Sequence, residues 1–413
     1  MATTTASPLP AEVPSLRHYL DHASTTPLRP EAAQAMAAWI ARAGRRDGVG
    51  DPGRLHAEGQ RARAEVEAAR EAVAEFLGAE PSRVVFTASA TEAANAAVFG
   101  AAALRPGAAL LCPPVEHSCV REACRRAGPV VQVPVDDAGR LVVDELRDLL
   151  EHGPGSGRPP AIVNCQLANH EVGTVQPVAE VVALCRRARV PVHCDAAAAA
   201  GHVPVSFRDL GVDLLSVSSH KLGGPPGVGA LLIRRGLRVA PFVVGGSEER
   251  ARRAGAENVL GIVGFAAACS ALTAERLALE AGTAARQLGQ LEAAAASVPD
   301  VSVIGDAARR LPHLLCLAVG GVVAEAVLLA LDRVGVAAHS GSACSSEVFE
   351  PSPVLAAIGA PADRSLRLSV GWTTTDEDVS AFARVFGETV ERLRSLARPP
   401  QAAAARADSP LRP

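Results

Sequence analysis

The stretch Asp213-Leu-Leu-Ser-Val-Ser218-Ser219-His220-Lys221-Leu-Gly-Gly-Pro-Pro-Gly-Val-Gly229 contains the only lysine of the chain. Its first half is a short apolar run of strand character. Its second half is a Gly/Pro-rich loop whose backbone can come close to a ligand. Lysine and arginine together number 41, so every other permanently cationic side chain is an arginine. Arginine serves wherever positive charge is enough, but only a lysine amine can lose its proton and become a nucleophile. Lys221 is therefore read as a chemical residue just past a strand end.

Working outward, apolar strands alternate with helical segments. Candidate strands lie at 83–87, 109–112, 130–134, 161–166, 191–194, 213–217 and 229–234. The spacing of Val66, Ala69, Val73, Phe76 and Leu77 predicts a helix closed by Gly78. Ser89-Ala90-Thr91-Glu92 is a capping-box signature that opens another. Continuous apolar strands between helices predict an α/β fold with a mainly parallel sheet covered on both faces. A long helix is expected over 270–297. Shorter strands follow near 301–304, 314–319, 334–338 and 366–370. This divides the chain into a large domain, 29–275, and a smaller α/β domain made of 18–28 and 276–395. Flexible tails are expected at 1–17 and 396–413, where Pro, Ala, Thr and Ser dominate.

The 413 residues are enough for two or three domains at about 150 each. Apolar residues make up 48% and charged ones 21%, which excludes wholesale disorder, collagen and coiled coil. A net charge of −3 argues against direct nucleic-acid binding and against a polybasic membrane surface. The nine cysteines are odd in number, form no CxxC pair and lack zinc-finger spacing with histidine, so neither a disulfide framework nor a metal is expected. Most sit in apolar runs as small hydrophobes; Cys344, among Ser, Gly and Ala, does not. The N-terminal MATTTASPLPAEVP has no basic or apolar signal region, and Asn258–Ala274 is too short and polar for a membrane span. A cytoplasmic location is expected.

In an open parallel sheet, ligands bind at the carboxyl ends of the strands. Three groups fall on that rim. Lys221 follows one strand, Asp195 ends another in Val192-His193-Cys194-Asp195, and the helix start at Ser89-Ala90-Thr91 offers free N–H groups to a phosphate. A lysine to carry an aldehyde, a carboxylate to hold a pyridine nitrogen protonated and a phosphate cradle together suggest pyridoxal 5'-phosphate (PLP).

From Tyr19 to Leu396 the sequence resembles the cysteine desulfurases of the iron–sulfur-assembly type, class V members of the fold-type I PLP enzymes. The motifs are Tyr19-Leu-Asp21-His-Ala-Ser-Thr25-Thr26-Pro27, Thr87-Ala-Ser-Ala90-Thr91-Glu92, Glu116-His117, Asn169-His-Glu171-Val-Gly173, His193-Cys-Asp195-Ala, Ser218-Ser-His220-Lys221, Gly245-Gly246 with Glu249-Arg250, Ser340-Gly-Ser-Ala-Cys344-Ser and Leu366-Arg367-Leu-Ser369. The resemblance implies a seven-stranded, mainly parallel sheet in the large domain and a homodimer. It implies that Lys221 carries PLP and moves the substrate's α-proton. Asp195 would pair with the ring nitrogen, and His117 would stack on the ring as an acid–base group. Asn169 would hydrogen-bond the ring hydroxyl near the substrate. Thr91, Ser218, His220 and the N–H groups near Ala90 would hold the phosphate. Arg367 would fork onto the carboxylate of the substrate, L-cysteine. Cys344, on a mobile Gly/Ser-rich loop of the small domain, would take the sulfur as a persulfide and present it to an acceptor protein.

Three positions depart from the family pattern: Ala198 replaces a glutamine that contacts the ring hydroxyl, Ala256 replaces a threonine that reaches the partner subunit's phosphate, and His170 replaces the second asparagine of Asn-Asn-Glu. Two alternatives therefore stay open. One is a related PLP lyase acting on selenocysteine or another C–S bond, which would not accumulate persulfide. The other is a degenerate PLP-fold scaffold or sulfur relay, which the losses at 198 and 256 favour and the intact lysine, aspartate, histidine and cysteine oppose.

Overall fold

The computed structural model describes residues 16–45, 48–153, 158–340 and 352–397. Its centre is a seven-stranded sheet. The strands lie in the order Val84–Thr87, Gly229–Ile233, Leu214–Ser218, Val192–Asp195, Ile162–Asn164, Leu110–Cys112 and Val130–Gln132. Only Gly229–Ile233 runs against the other six, so the expectation of a mainly parallel sheet holds. The strands Val192–Asp195 and Leu214–Ser218 are buried on both faces, as strands lying between two helical layers should be.

The helix Ala57–Phe76 buries Val66, Ala69 and Val73, the apolar stripe its spacing predicts. Ser89 caps the helix Ala90–Leu104, its hydroxyl accepting from Glu92 N at 3.1 Å, while Glu92 Oε2 reaches back to Ala88 N at 3.0 Å. The long helix expected over 270–297 is present as Ala274–Ala296; it starts four residues later, because the preceding helix Val259–Ala271 ends there and the two meet at a bend of 79°. The break has a local cause. The Thr273 hydroxyl accepts from Arg276 N at 3.2 Å, so Thr273 starts a new helix instead of continuing the old one. No single described helix is long and apolar enough to cross a membrane.

Beyond residue 300 the chain forms an antiparallel sheet in the order Ser365–Ser369, Leu314–Val319, Val301–Ile304. The strand expected at 334–338 shrinks to Val336–Ala337 and pairs with His18–Tyr19. A buried cluster separate from the main core joins Leu20 to Leu291, Leu317, Leu366 and Phe382.

The N-terminal segment also fastens the lysine loop. Thr26 N donates to His220 O at 3.2 Å, and Arg29 N to Gly223 O at 2.8 Å. The buried Arg29 side chain donates through Nε to Leu222 O at 2.9 Å and pairs with both carboxylate oxygens of Glu280. Gly223 has φ +93°, and a Cβ there would come within 2.5 Å of Arg29 Cγ, so this turn requires glycine.

Candidate active site

A cavity of about 230 Å³ opens at the carboxyl ends of the strands. It brings together Ser89, Ala90, Thr91, His117, Asp195, Ser218, His220, Lys221 and Arg367, all of them expected site residues or the cap beside them.

At one end is an anion cradle. The first turn of Ala90–Leu104 exposes backbone N–H groups, and Gly229 lets the neighbouring strand approach it. A Cβ on Gly229 would sit 2.7 Å from Ser89 C and 2.9 Å from Ala90 N. The Ser218 hydroxyl lines the cavity, buried and without a hydrogen-bond partner. A buried hydroxyl in that state is a donor awaiting an acceptor. His220 Nδ1 contacts Thr25 Oγ1 at 3.2 Å, which orients its ring.

Asp195 lies deeper. Its Oδ1 accepts from Ala197 N at 3.0 Å and from Ser216 Oγ at 3.1 Å. Burial raises its carboxyl above the ordinary range, while the Ala197 amide, Lys221 and Ser216 act the other way. His193 stands behind, with Nε2 3.1 Å from Ser216 Oγ and Nδ1 3.0 Å from Asn164 Oδ1. Sequence reasoning missed Ser216 and Asn164 as supports, although the alternation along their strands puts them on one face.

His117 caps the helix Ser118–Ala127, accepting at Nδ1 from Cys119 N at 3.2 Å. Burial, with the nearby His170, Lys221 and Arg121, drives its pKa well down, so the imidazole is neutral. Cys119 also lines the cavity, its Sγ 3.0 Å from His117 Nδ1, and so departs from the expectation of an inert core thiol. The other seven described cysteines are buried free thiols. Among the described residues, no group of three or more His, Cys, Asp or Glu is placed to hold a metal.

Asn169 requires correction. Its amide oxygen accepts from Glu171 N at 2.8 Å and Val172 N at 2.9 Å, and Nδ2 donates to Val115 O at 3.0 Å. It shapes the turn and does not line the cavity. The side chain that does is its neighbour His170. Ala198 lines the cavity without a polar atom, and Ala256 is exposed.

Arg367 reaches the cavity from the strand Ser365–Ser369. Its Nη1 donates to His170 O at 3.0 Å, and Nη2 donates to Asp21 Oδ1 at 2.9 Å and Ser24 Oγ at 2.6 Å. The guanidinium is thus anchored along one edge, leaving Nε buried without a partner. Cys344 lies outside the described residues.

The donor set fits PLP: a cradle for the phosphate, a carboxylate for the ring nitrogen and a lysine to carry the aldehyde carbon. The family model described as Aminotransferase class-V matches residues 18–382. The chain is 36% identical over 392 residues to the cysteine desulfurase IscS of Dictyoglomus turgidum, covering 92% of this chain and 95% of that one. It is 38% identical over 398 residues to a cysteine desulfurase of Cereibacter sphaeroides, covering 92% and 97%. The chain belongs to the cysteine desulfurases of the class-V aminotransferase family. A solved NifS-like protein shares the desulfurase fold with a TM-score of 0.82 at 29% identity, covering 92% of this chain and 100% of that one. This desulfurase is a fold-type I enzyme, and its cofactor is PLP.

Proposed function

We propose that this desulfurase converts L-cysteine to L-alanine and passes the sulfur, as a persulfide on Cys344, to an acceptor protein, working as a homodimer in the cytoplasm. The observation that carries the reading is the convergence of Lys221, Asp195, the anion cradle and Arg367 on one cavity. Bound PLP supplies the electron sink for a negative charge at the substrate's α-carbon.

The residues of the chain do the rest. Arg367, with Nε still unpaired, takes the substrate carboxylate and fixes its orientation. The Lys221 amine removes the α-proton. His117 lines the same cavity and would serve there as the acid–base group. The Cys344 thiolate attacks the substrate sulfur. As the new S–S bond forms, the Cβ–S bond breaks, and its electron pair stays on Cβ. A proton delivered there makes the methyl group of alanine.

The segment bearing Cys344 starts beside the site. His339 N donates to Arg367 O at 3.2 Å and Arg367 N to His339 O at 2.6 Å. Five extended residues from His339 reach about 17 Å, which supports a thiol that visits the cavity and leaves it.

The test is the absorption spectrum of the PLP-loaded protein before and after L-cysteine, with alanine and sulfide assayed together. A visible band that shifts on adding cysteine is expected, with alanine formed and a protein persulfide that disappears in Cys344→Ala. Alanine without any persulfide would point to a lyase. A protein that stays colourless in excess PLP would overturn the reading in favour of a scaffold.

A further inference from the structure

The PLP ring hydroxyl is the one polar group of the cofactor for which the expected partners are missing. Ala198 offers no hydrogen bond. The Asn169 amide is turned away, and its Nδ2 and Gln166 Nε2 both donate to one oxygen, Val115 O, at 3.0 and 2.9 Å. The other polar side chains that line the cavity have other tasks: Ser218, Thr91, His220 and the first-turn amides would take the phosphate, Asp195 the ring nitrogen, and Lys221, His117 and Arg367 the substrate side, while Gln166 Nε2 donates to Val115 O, Ser24 Oγ accepts from Arg367 and Ser89 caps its helix.

His170 is left. It lines the cavity and is buried, and its Nδ1 has no hydrogen-bond partner. A buried imidazole nitrogen without a partner calls for an explanation, and a ligand atom in the cavity supplies one. Its other contacts hold the ring in place. The ring meets His117 edge-on, with centroids 4.8 Å apart at 68°. Its carbonyl accepts from Arg367 Nη1 at 3.0 Å. Nε2 faces Glu171 Oε1 at 3.5 Å, and the other oxygen of that carboxyl accepts from Ser352 Oγ at 2.5 Å.

We propose that His170 replaces both missing amides, donating Nδ1–H to the ring oxygen of PLP, with Nε2 turned as an acceptor towards Glu171. This rests on the cofactor reading above. The charged groups facing His170 agree with it. Lys221, Arg367 and Arg121, added to burial, keep the imidazole neutral, so it has one N–H to give. Burial raises the Glu171 carboxyl to about 7, and Oε1, the oxygen that Ser352 leaves unengaged, is the one that faces Nε2. The neighbouring His117 is neutral as well. Ala198 is then the space the imidazole arrangement does not need filled, and the departures at 170 and 198 form one exchange.

A donor to the ring oxygen stabilises its negative charge and lowers the pKa of the visible band of the loaded protein. The experiment is a pH titration of that band in the PLP-loaded full chain. His170→Phe keeps an aromatic ring against His117 and removes the donor. It should raise the band pKa by about one unit, the size of one hydrogen bond to a charged group. Adding Ala198→Gln to it should restore at least half of the shift. A band pKa unchanged in His170→Phe overturns the proposal. If His170→Phe fails to hold PLP, His170→Asn, which keeps a donor, should hold it within threefold of the unmodified chain; equal loss in both overturns the proposal. A wild-type chain that never develops the band overturns the cofactor reading itself, a distinct result.

Discussion

The Ser216 hydroxyl donates to Asp195 Oδ1 at 3.1 Å while sitting 3.1 Å from His193 Nε2. The carboxylate proposed to meet the cofactor ring is therefore held from behind by a buried line running through Ser216 and His193 to Asn164. A buried, hydrogen-bonded carboxylate keeps its charge and direction only as well as its supports do.

Ser216→Ala should weaken PLP holding about tenfold, the worth of a hydrogen bond to a charged group. Ser216→Thr should retain most of it. Equilibrium loading followed by the visible band checks this. A Ser216→Ala variant that binds PLP as the parent does would show that Asp195 needs no such support.

Gly229→Ala places a methyl 2.7 Å from Ser89 C and 2.9 Å from Ala90 N, where backbone must move. A PLP affinity at least tenfold lower is expected. Gly282→Ala, with nothing within 4 Å of its Cβ, should leave loading unchanged. Equal loading of the two variants would remove the cradle from the account.

Glu249 is buried, pairs with Arg70 at 2.7 and 2.8 Å and accepts from Phe86 N at 2.9 Å. It also adopts φ +47°, the first of three successive non-glycine residues in the left-handed region. Only a strong anchor keeps such a turn in place. Glu249→Leu leaves the buried Arg70 guanidinium with only the partly exposed Glu67, 3.3 Å away, as counter-charge and should cost about 3 kcal/mol. Reversible denaturation is the check, and a loss below about 1 kcal/mol contradicts the anchor.

Acid should destabilise the fold through its histidines. Burial lowers His22 to about 4 and His193 to about 3. A base whose folded pKa is depressed contributes fully above its unfolded value of about 6.5, and its contribution falls away as pH drops towards the folded values. Each such group removes up to about 1.4 kcal/mol per pH unit in that window. Glu116, raised to about 8 by burial, and Glu171 act in the opposite sense, stabilising the fold as pH falls through their range. Buried neutral histidines outnumber them, so a denaturation midpoint at pH 5.5 well below that at pH 7.5 is expected. Equal midpoints would mean that those histidines are solvated.

Much of this was legible from residue types alone. The single lysine, the strand-end aspartate and the capping box at Ser89 each carry a chemical reason that survives without coordinates, and all three reach one cavity. What stayed hidden was direction. Asn169 and His170 are adjacent, and a tight turn sends one side chain inward and the other outward; no periodicity fixes which. Nothing in the run His117-Ser118-Cys119-Val120 marks Cys119 as a cavity residue, yet the helix start capped by His117 brings it there. The helix expected from 270 begins at Ala274, because the Thr273 hydroxyl and not the run of alanine and leucine decides where it starts.

The clasp between the segment 21–29 and the lysine loop has a consequence for synthesis. Asp21 meets Arg367 across 346 residues, and the Thr26 and Arg29 amides are held by the loop after Lys221. Bringing such distant parts together is slow and comes late. On the ribosome, the substrate side of the site is therefore unfinished until the last strand, Ser365–Ser369, has emerged.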